Sequence, residues 1–171
     1  MAAPGSRDEL KAAQAPIKDR YREDPSSATI TLTAAGDLGD GISCSVQTGR
    51  ELVEAGLHPG TGGDGSLACS GDMLLQALAA CAGVTMRSVA TSMGIDASGT
   101  VLAEGDLDWR GTLAVDRDAE VGFTDIRLRF DVDSKASDEE LGTLLKLTER
   151  YCVVLQTLIA SAPVSASLAR T

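Results

Sequence analysis

Two cysteines in apolar, helical surroundings are the residues of this chain best equipped for chemistry. Cys81 lies in Leu74-Leu75-Gln76-Ala77-Leu78-Ala79-Ala80-Cys81, and Cys152 in Glu149-Arg150-Tyr151-Cys152-Val153-Val154. Met1 to Leu10 holds no apolar run of the kind a secretory signal needs, which points to a cytoplasmic protein whose thiols stay reduced. A thiol kept in that compartment either packs as a small hydrophobe or reacts. Reaction requires ionisation near neutral pH, and so a cation, a helix N-terminus or hydrogen-bond donors beside the sulfur. Cys81 stands about ten residues into its predicted helix, beyond the turn over which the helix dipole acts. Arg87 falls on another face of that helix, so the activating group must come from elsewhere in the fold. The small neighbours Ala77, Ala79, Ala80, Ala82 and Gly83 would let a second backbone approach the sulfur closely.

Other chemistries find less support. The chain has one histidine, His58, and four cysteines at 44, 69, 81 and 152. No two of them have Cys-x-x-Cys spacing, so neither a zinc knuckle nor a thioredoxin-type motif is present, and no metal or cofactor is expected. His58 sits beside Pro59 in a glycine-rich segment and reads as a solvated loop histidine. That segment, Gly56 to Gly71, lacks the Gly-Lys-Ser/Thr ending of a phosphate-binding loop. The net charge of −10, with no basic stripe, argues against nucleic acid. No stretch is read as apolar enough to span a bilayer, so no membrane partner is expected.

The elements that must position the thiols follow from periodicity. Arg7 to Glu23 has helical spacing, ends at Asp24-Pro25, and contains Pro16, which predicts a two-part helix. Ala28–Thr33 and Ile42–Gln47 alternate as two half-buried strands around a turn at Gly36–Gly41, with Cys44 as core filler. A long helix is predicted from Asp72 to Met93, capped by Ser70 and Asp72 and stopped by Gly94. Its buried stripe is Leu75, Leu78, Ala82, Met86, Val89 and Met93. Strand-like segments follow at Thr100–Arg110, Thr112–Val115 and Phe123–Val132. Ser137-Asp138-Glu139-Glu140 reads as a capping box opening a second long helix to about Ala160, and Pro163–Leu168 alternates as a last strand. The fold class is α+β, antiparallel sheets with helices against one face. Two apolar helices for so few strands leave faces that a second copy would cover, which predicts a homodimer.

Met73-Leu74-Leu75-Gln76-Ala77-Leu78-Ala79-Ala80-Cys81-Ala82-Gly83-Val84-Thr85, with Tyr151-Cys152-Val153-Val154 some seventy residues on, resembles the OsmC/Ohr family of osmotically induced and organic-hydroperoxide-resistance proteins. The resemblance covers residues 27–171 and leaves 1–26 as an appended helical segment. It implies an intertwined α+β homodimer with two long central helices and sites at the subunit interface. It implies reduction of organic hydroperoxides without a cofactor, Cys81 attacking and Cys152 resolving it as a disulfide, with an external thiol, such as a lipoylated protein, restoring the enzyme. Arg50 matches the family's activating arginine. The family's Pro-Glu turn is replaced by Ser70-Gly71-Asp72, which leaves Asp72 as the guanidinium's carboxylate partner or as a helix cap. Val153 stands where the family has proline after the second cysteine. The alternative is a non-catalytic OsmC-fold stress or small-molecule-binding protein that keeps both cysteines as packing. Cys69, just before the helix, is too far from Cys81 to resolve it.

Overall fold

The chain opens on α1 (Arg7–Glu23), whose N-cap Ser6 accepts the Glu9 amide through its side chain. The computed structural model describes residues 6–29, 31, 36–38, 43–48 and 51–170. The expected break at Pro16 is not seen, and α1 is one uninterrupted helix. Proline there removes a single amide donor, and a helix with no buried residue leaves the freed carbonyl to water.

Four short strands form the first sheet: β1 (Gly36–Leu38), β2 (Ser43–Thr48), β3 (Glu51–Gly56) and β4 (Ala68–Cys69), in that order. β2 is the predicted second strand, and Cys44 in it stands opposite Leu38 and Ala55. The turn expected at Gly36–Gly41 instead begins with β1, antiparallel to β2. Of the strand predicted at Ala28–Thr33, Ala28 closes a single 3-10 turn, Pro25–Ala28, while Ile30, Leu32 and Thr33 fall outside the described residues. β3 was not anticipated, because Glu51-Leu52-Val53-Glu54-Ala55-Gly56 does not alternate. Between β3 and β4, the glycine-rich segment makes one 3-10 turn at Pro59–Thr61.

β4 leads directly into α2 (Ser70–Met93), a 24-residue helix that begins two residues earlier than predicted. Its N-cap is Cys69, without a side-chain cap bond, so Ser70 does not cap it, while Asp72 places its expected negative charge in the first turn. Gly94 stops it at φ +74, a left-handed turn open to glycine at no steric cost, and the Ile95 amide reaches back to the Ala90 carbonyl at 2.9 Å. By length and composition alone α2 is apolar enough to cross a bilayer, contrary to the sequence reading. Only one face of it is buried: Leu78, Ala82, Met86 and Ala90 pack inward.

The second sheet is a long antiparallel pair, β5 (Ala97–Leu107) and β6 (Phe123–Ser134), in register from Ala97 opposite Ser134 to Leu107 opposite Phe123. Val101 and Ala103 on β5 and Ile126, Leu128 and Phe130 on β6 are half buried beneath α2, while Arg127 and Arg129 lie on the solvent face with Asp106, Asp125 and Asp131. Gly99 adopts φ +138 where a Cβ would collide with the Asp131 carbonyl, so only glycine fits. The expected middle strand, Thr112–Val115, is absent. A one-turn helix α3 (Trp109–Thr112), capped by Asp108, takes its place, and Ala114 turns the chain at φ +55.

The capping box is found as predicted: the Ser137 hydroxyl accepts the Glu140 amide at 3.3 Å, and Glu140 accepts the Ser137 amide at 2.8 Å. It opens α4 (Asp138–Tyr151), which buries Leu144 and Thr148. The single helix predicted to Ala160 is in fact two. It breaks at Cys152 and resumes as α5 (Val153–Ala160). Residues 162–170 form no strand, so the terminal strand at Pro163–Leu168 is also corrected. A strand requires a hydrogen-bonded neighbour, and among the described residues this segment pairs with none. One core cluster joins Met86, Ala90, Ala97 and Leu144, and a second joins Leu78, Ala82 and Cys152.

Candidate active site

α2 turns Cys81 toward the second cluster, half buried among Leu78, Ala82 and Cys152. Leu78, three positions before it, is fully buried as expected, but Leu74 is exposed. Cys152 is 0% exposed. It is not a helical residue: at φ −73 and ψ 105 it is both the C-cap of α4 and the N-cap of α5. The inference that Cys152 shares a helical face with Leu155 and Ile159 therefore fails in part. Leu155 packs in the cluster, whereas Ile159, on the same face but at the last turn of α5, is exposed. The expectation that two cysteines 71 positions apart approach each other is met in the packing, for Cys81 packs against the cluster that holds Cys152. Cys69, Cys81 and Cys152 are all free.

The break matters electrostatically. The first amides of a helix have no intrahelical acceptor, and the break aims those of α5 at Cys81. Burial pushes the Cys81 thiol up, but four donors outweigh it: the Val154 amide, the Cys152 thiol, the Thr85 hydroxyl and the Val153 amide. Together they hold Cys81 below its ordinary 9.0. The Thr85 hydroxyl also donates to the Cys81 carbonyl at 2.7 Å, so its single proton serves the sulfur only by rotating. Cys152 moves the other way. Burial raises it, and so do the hydrogen bond and the negative charge of Cys81, against lowering by the Leu155 and Val154 amides. The outcome is one ionisable, reachable sulfur beside one buried, protonated sulfur.

The sequence reading missed Thr85, Val153 and Val154. Its requirement for an activator from outside the Cys81 helix is met by backbone amides, which carry no side-chain signature. The predicted arginine, Arg50, lies outside the described residues. Among the described residues no guanidinium contributes to holding Cys81 down; Arg87 is turned away and donates to the Ala97 carbonyl.

Asp72 is not brought to the thiol pair. It stands nine positions before Cys81, ~13 Å along the axis of α2. It borders a separate cavity of about 320 Å³ with His58, Cys69, Asp106 and Trp109. His58 there is structural: its Nδ1 accepts the Gly60 amide at 2.9 Å, and its ring stacks on Trp109 with centroids 5.0 Å apart. Among the described residues no three metal-ligating side chains converge.

The fold is similar to that of several solved structures. With the OsmC-like protein from Mycoplasma pneumoniae the TM-score is 0.65 at 18% identity, over 76% of this chain and 88% of that one. With an OsmC-like protein of unknown function from Vibrio cholerae it is 0.57 at 10% identity, over 75% and 94%. With the organic hydroperoxide resistance protein OsmC from Legionella pneumophila it is 0.55 at 16% identity, over 75% and 89%. No curated protein matches the chain. Residues 63–167, well over half the chain and including both thiols of the site, match the family described as OsmC-like protein, and the chain belongs to that family.

Proposed function

We propose that this protein is a thiol-dependent peroxidase that reduces organic hydroperoxides, with Cys81 as the attacking and Cys152 as the resolving thiol. The observation that carries the proposal is the packing of two free thiols in one cluster at the start of α5, Cys152 fully buried and Cys81 half buried. Burial raises Cys152, and hydrogen-bond donors lower Cys81 against its own burial. In the first step the Cys81 thiolate attacks the terminal oxygen of R–O–OH. The O–O bond breaks, sulfur loses two electrons and becomes a sulfenic acid, and the alkoxide leaves and takes a proton from solvent. The Cys152 thiol then condenses with the sulfenic acid, forming the disulfide and releasing water. An external dithiol supplies two electrons and two protons to reopen the disulfide. A lipoylated protein would serve in that role. Burial of Cys152 keeps it protonated until the sulfenic acid forms beside it, and the apolar cluster around Cys81 suits an organic substrate better than hydrogen peroxide.

Several features support a homodimer. Val84 on α2, Val153 and Ile159 on α5, and Val164 and Leu168 beyond it are large apolar side chains exposed in the single chain. Residues 162–170, which form no strand alone, would find a strand partner in a second copy. The arginine that the family resemblance calls for would be Arg50, and its carboxylate would come from a residue other than the same chain's Asp72. Stopped-flow mixing with cumene hydroperoxide tests the proposal. The reduced protein should be oxidised rapidly and Cys81→Ser should not. Equal inertness of both would leave the OsmC-fold binding protein as the reading.

A further inference from the structure

α5 packs over the second thiol but is held there lightly. Val154, Leu155 and Leu158 are the side chains it sets on the cluster of Leu78, Ala82 and Cys152, and each is only partly buried. None of its eight residues is fully buried, and a helix of that length has little stability of its own. It has no side-chain cap at its start, and at its end Ser161 adopts φ +49, a left-handed conformation that is unfavourable for a residue with a Cβ. Beyond it, residues 162–170 are exposed and form neither helix nor strand. The near end turns on Cys152 alone, one extended residue between two helices. α5 therefore has the construction of a flap, and the residue at its hinge is the buried thiol.

Once joined, the two sulfurs would differ as targets for a reductant. In disulfide exchange the thiol of lower pKa is the better leaving group. Cys81 is held low and Cys152 is pushed up, so attack at Cys152 with departure of Cys81 is the easier chemistry. Yet Cys152 is 0% exposed, whereas Cys81 is only half buried. Attack at Cys81 from outside would have to expel Cys152 as a thiolate into an apolar cluster. Movement of α5 removes the conflict, because it uncovers the sulfur whose partner leaves readily.

We propose that α5 is a lid hinged at Cys152, and that it swings out to let the reducing dithiol attack Cys152 and not Cys81. This inference rests on the peroxidase reading for the Cys81–Cys152 disulfide and on the construction of α5 for the route of its reduction. One thiolate of the dithiol attacks the Cys152 sulfur, the Cys81–Cys152 bond breaks, and its electron pair leaves on Cys81. A mixed disulfide then stands on Cys152. The second thiol of the reductant, once deprotonated, attacks its own sulfur in that mixed disulfide, closes the reductant's disulfide and releases Cys152, which takes up a proton. The dithiol gives up two electrons and two protons, one proton ending on Cys152 and the other on Cys81 or in solvent.

Diamide, an azo oxidant that draws two electrons from a pair of thiols, makes the disulfide without any peroxide. The oxidised full chain is mixed with 2-mercaptoethanol, quenched in acid before the first turnover is complete, and mapped by peptide. The adduct should lie on Cys152, and an adduct on Cys81 overturns the inference. Reduction by dithiothreitol should be about fivefold slower in Ser161→Gly, where relief of the left-handed strain holds the lid shut. It should be about fivefold faster in Leu158→Ala, which removes one of the three lid contacts. If either rate equals that of the wild type, the lid falls; where no adduct survives the quench, these two rates decide. A Cys152 adduct in a chain that turns over no hydroperoxide would sink the peroxidase reading and leave the lid standing, whereas failure of diamide to join Cys81 and Cys152 sinks the lid.

Discussion

Val153→Pro isolates the contribution of the helix break to the reactivity of Cys81. Proline lacks an amide proton, so the change deletes one of the four donors to the sulfur. The backbone accepts proline, and the ring's Cδ takes the place of the amide proton beside the sulfur. Val153 is the first residue of α5, where proline is favoured because its amide has no helical acceptor. Cys152 before it is already extended, at ψ 105, as the residue preceding proline must be. The Val153 side chain is 71% exposed, so little packing is lost. A hydrogen bond to a charged group contributes roughly 1.5–3 kcal/mol, and Val153 is the weakest of the four donors. A loss near ~1 kcal/mol, with 1.36 kcal/mol per tenfold change in ionisation, lowers the thiolate fraction at neutral pH about fivefold. The assay is the pH dependence of iodoacetamide alkylation, with Cys81 and Cys152 resolved by peptide mapping. The Cys81 profile should move to higher pH while that of Cys152, which takes no donor from Val153, stays in place. A folded Val153→Pro protein whose Cys81 profile superimposes on the wild type would refute the claim that the α5 amides set this ionisation.

Asp72→Asn should leave the Cys81 alkylation rate within about twofold of wild type, because Asp72 borders a different cavity and a charge ~13 Å away is largely screened. A larger change would place a partner subunit's Asp72 near the thiol. Leu144→Ala, which empties the cluster holding Met86, Ala90 and Ala97, should lower stability in urea by about 3 kcal/mol. Stability of the reduced protein should also vary with pH around the thiols. Cys81 is depressed, so its contribution is absent at pH below its folded value and grows as pH climbs from there to 9.0. Cys152 is raised, so it opposes this and removes stability as pH passes above 9.0. Urea midpoints should therefore rise toward pH 9 and fall beyond it, and a Cys81→Ser chain should lose the rising limb.

The parts of the fold that could be read from the residues are those where one local rule acts alone. The capping box at Ser137, the stop at Gly94 and the stripe Leu78–Ala82–Met86 each follow from a few neighbouring side chains, and each is found. What could not be read depends on partners distant in sequence. β3 exists because β2 and β4 lie on either side of it, not because its own residues alternate. Thr112–Val115 resembles a strand but has none to pair with, so the Asp108 cap decides for a helical turn. For the candidate site, the residues and the family resemblance pointed to Cys81 and Cys152, which pack in one cluster. A cation was the expected activator, and among the described residues the lowering groups are amides, a thiol and a hydroxyl, which composition cannot reveal.

The break at Cys152 has no proline to enforce it, and its cause lies in the groups around it. A continuous helix would give the Val153 amide an acceptor within the helix and withdraw it from Cys81. Instead the Cys152 amide closes the last turn of α4 on the Thr148 carbonyl at 2.9 Å, and the Gln156 amide opens α5 on the Cys152 carbonyl at 2.9 Å. The Glu149 carbonyl, freed by the break, is taken by the Gln156 side chain at 2.9 Å. Thr148, buried one turn earlier, turns its hydroxyl back to the Leu144 carbonyl at 2.8 Å, a bond that favours bending of a helix. The backbone cost of the break is thus met locally by Thr148 and Gln156, and burial of Cys152 against Leu78 and Ala82 favours the broken form. One residue in extended conformation buries the second thiol and frees the donors that ionise the first.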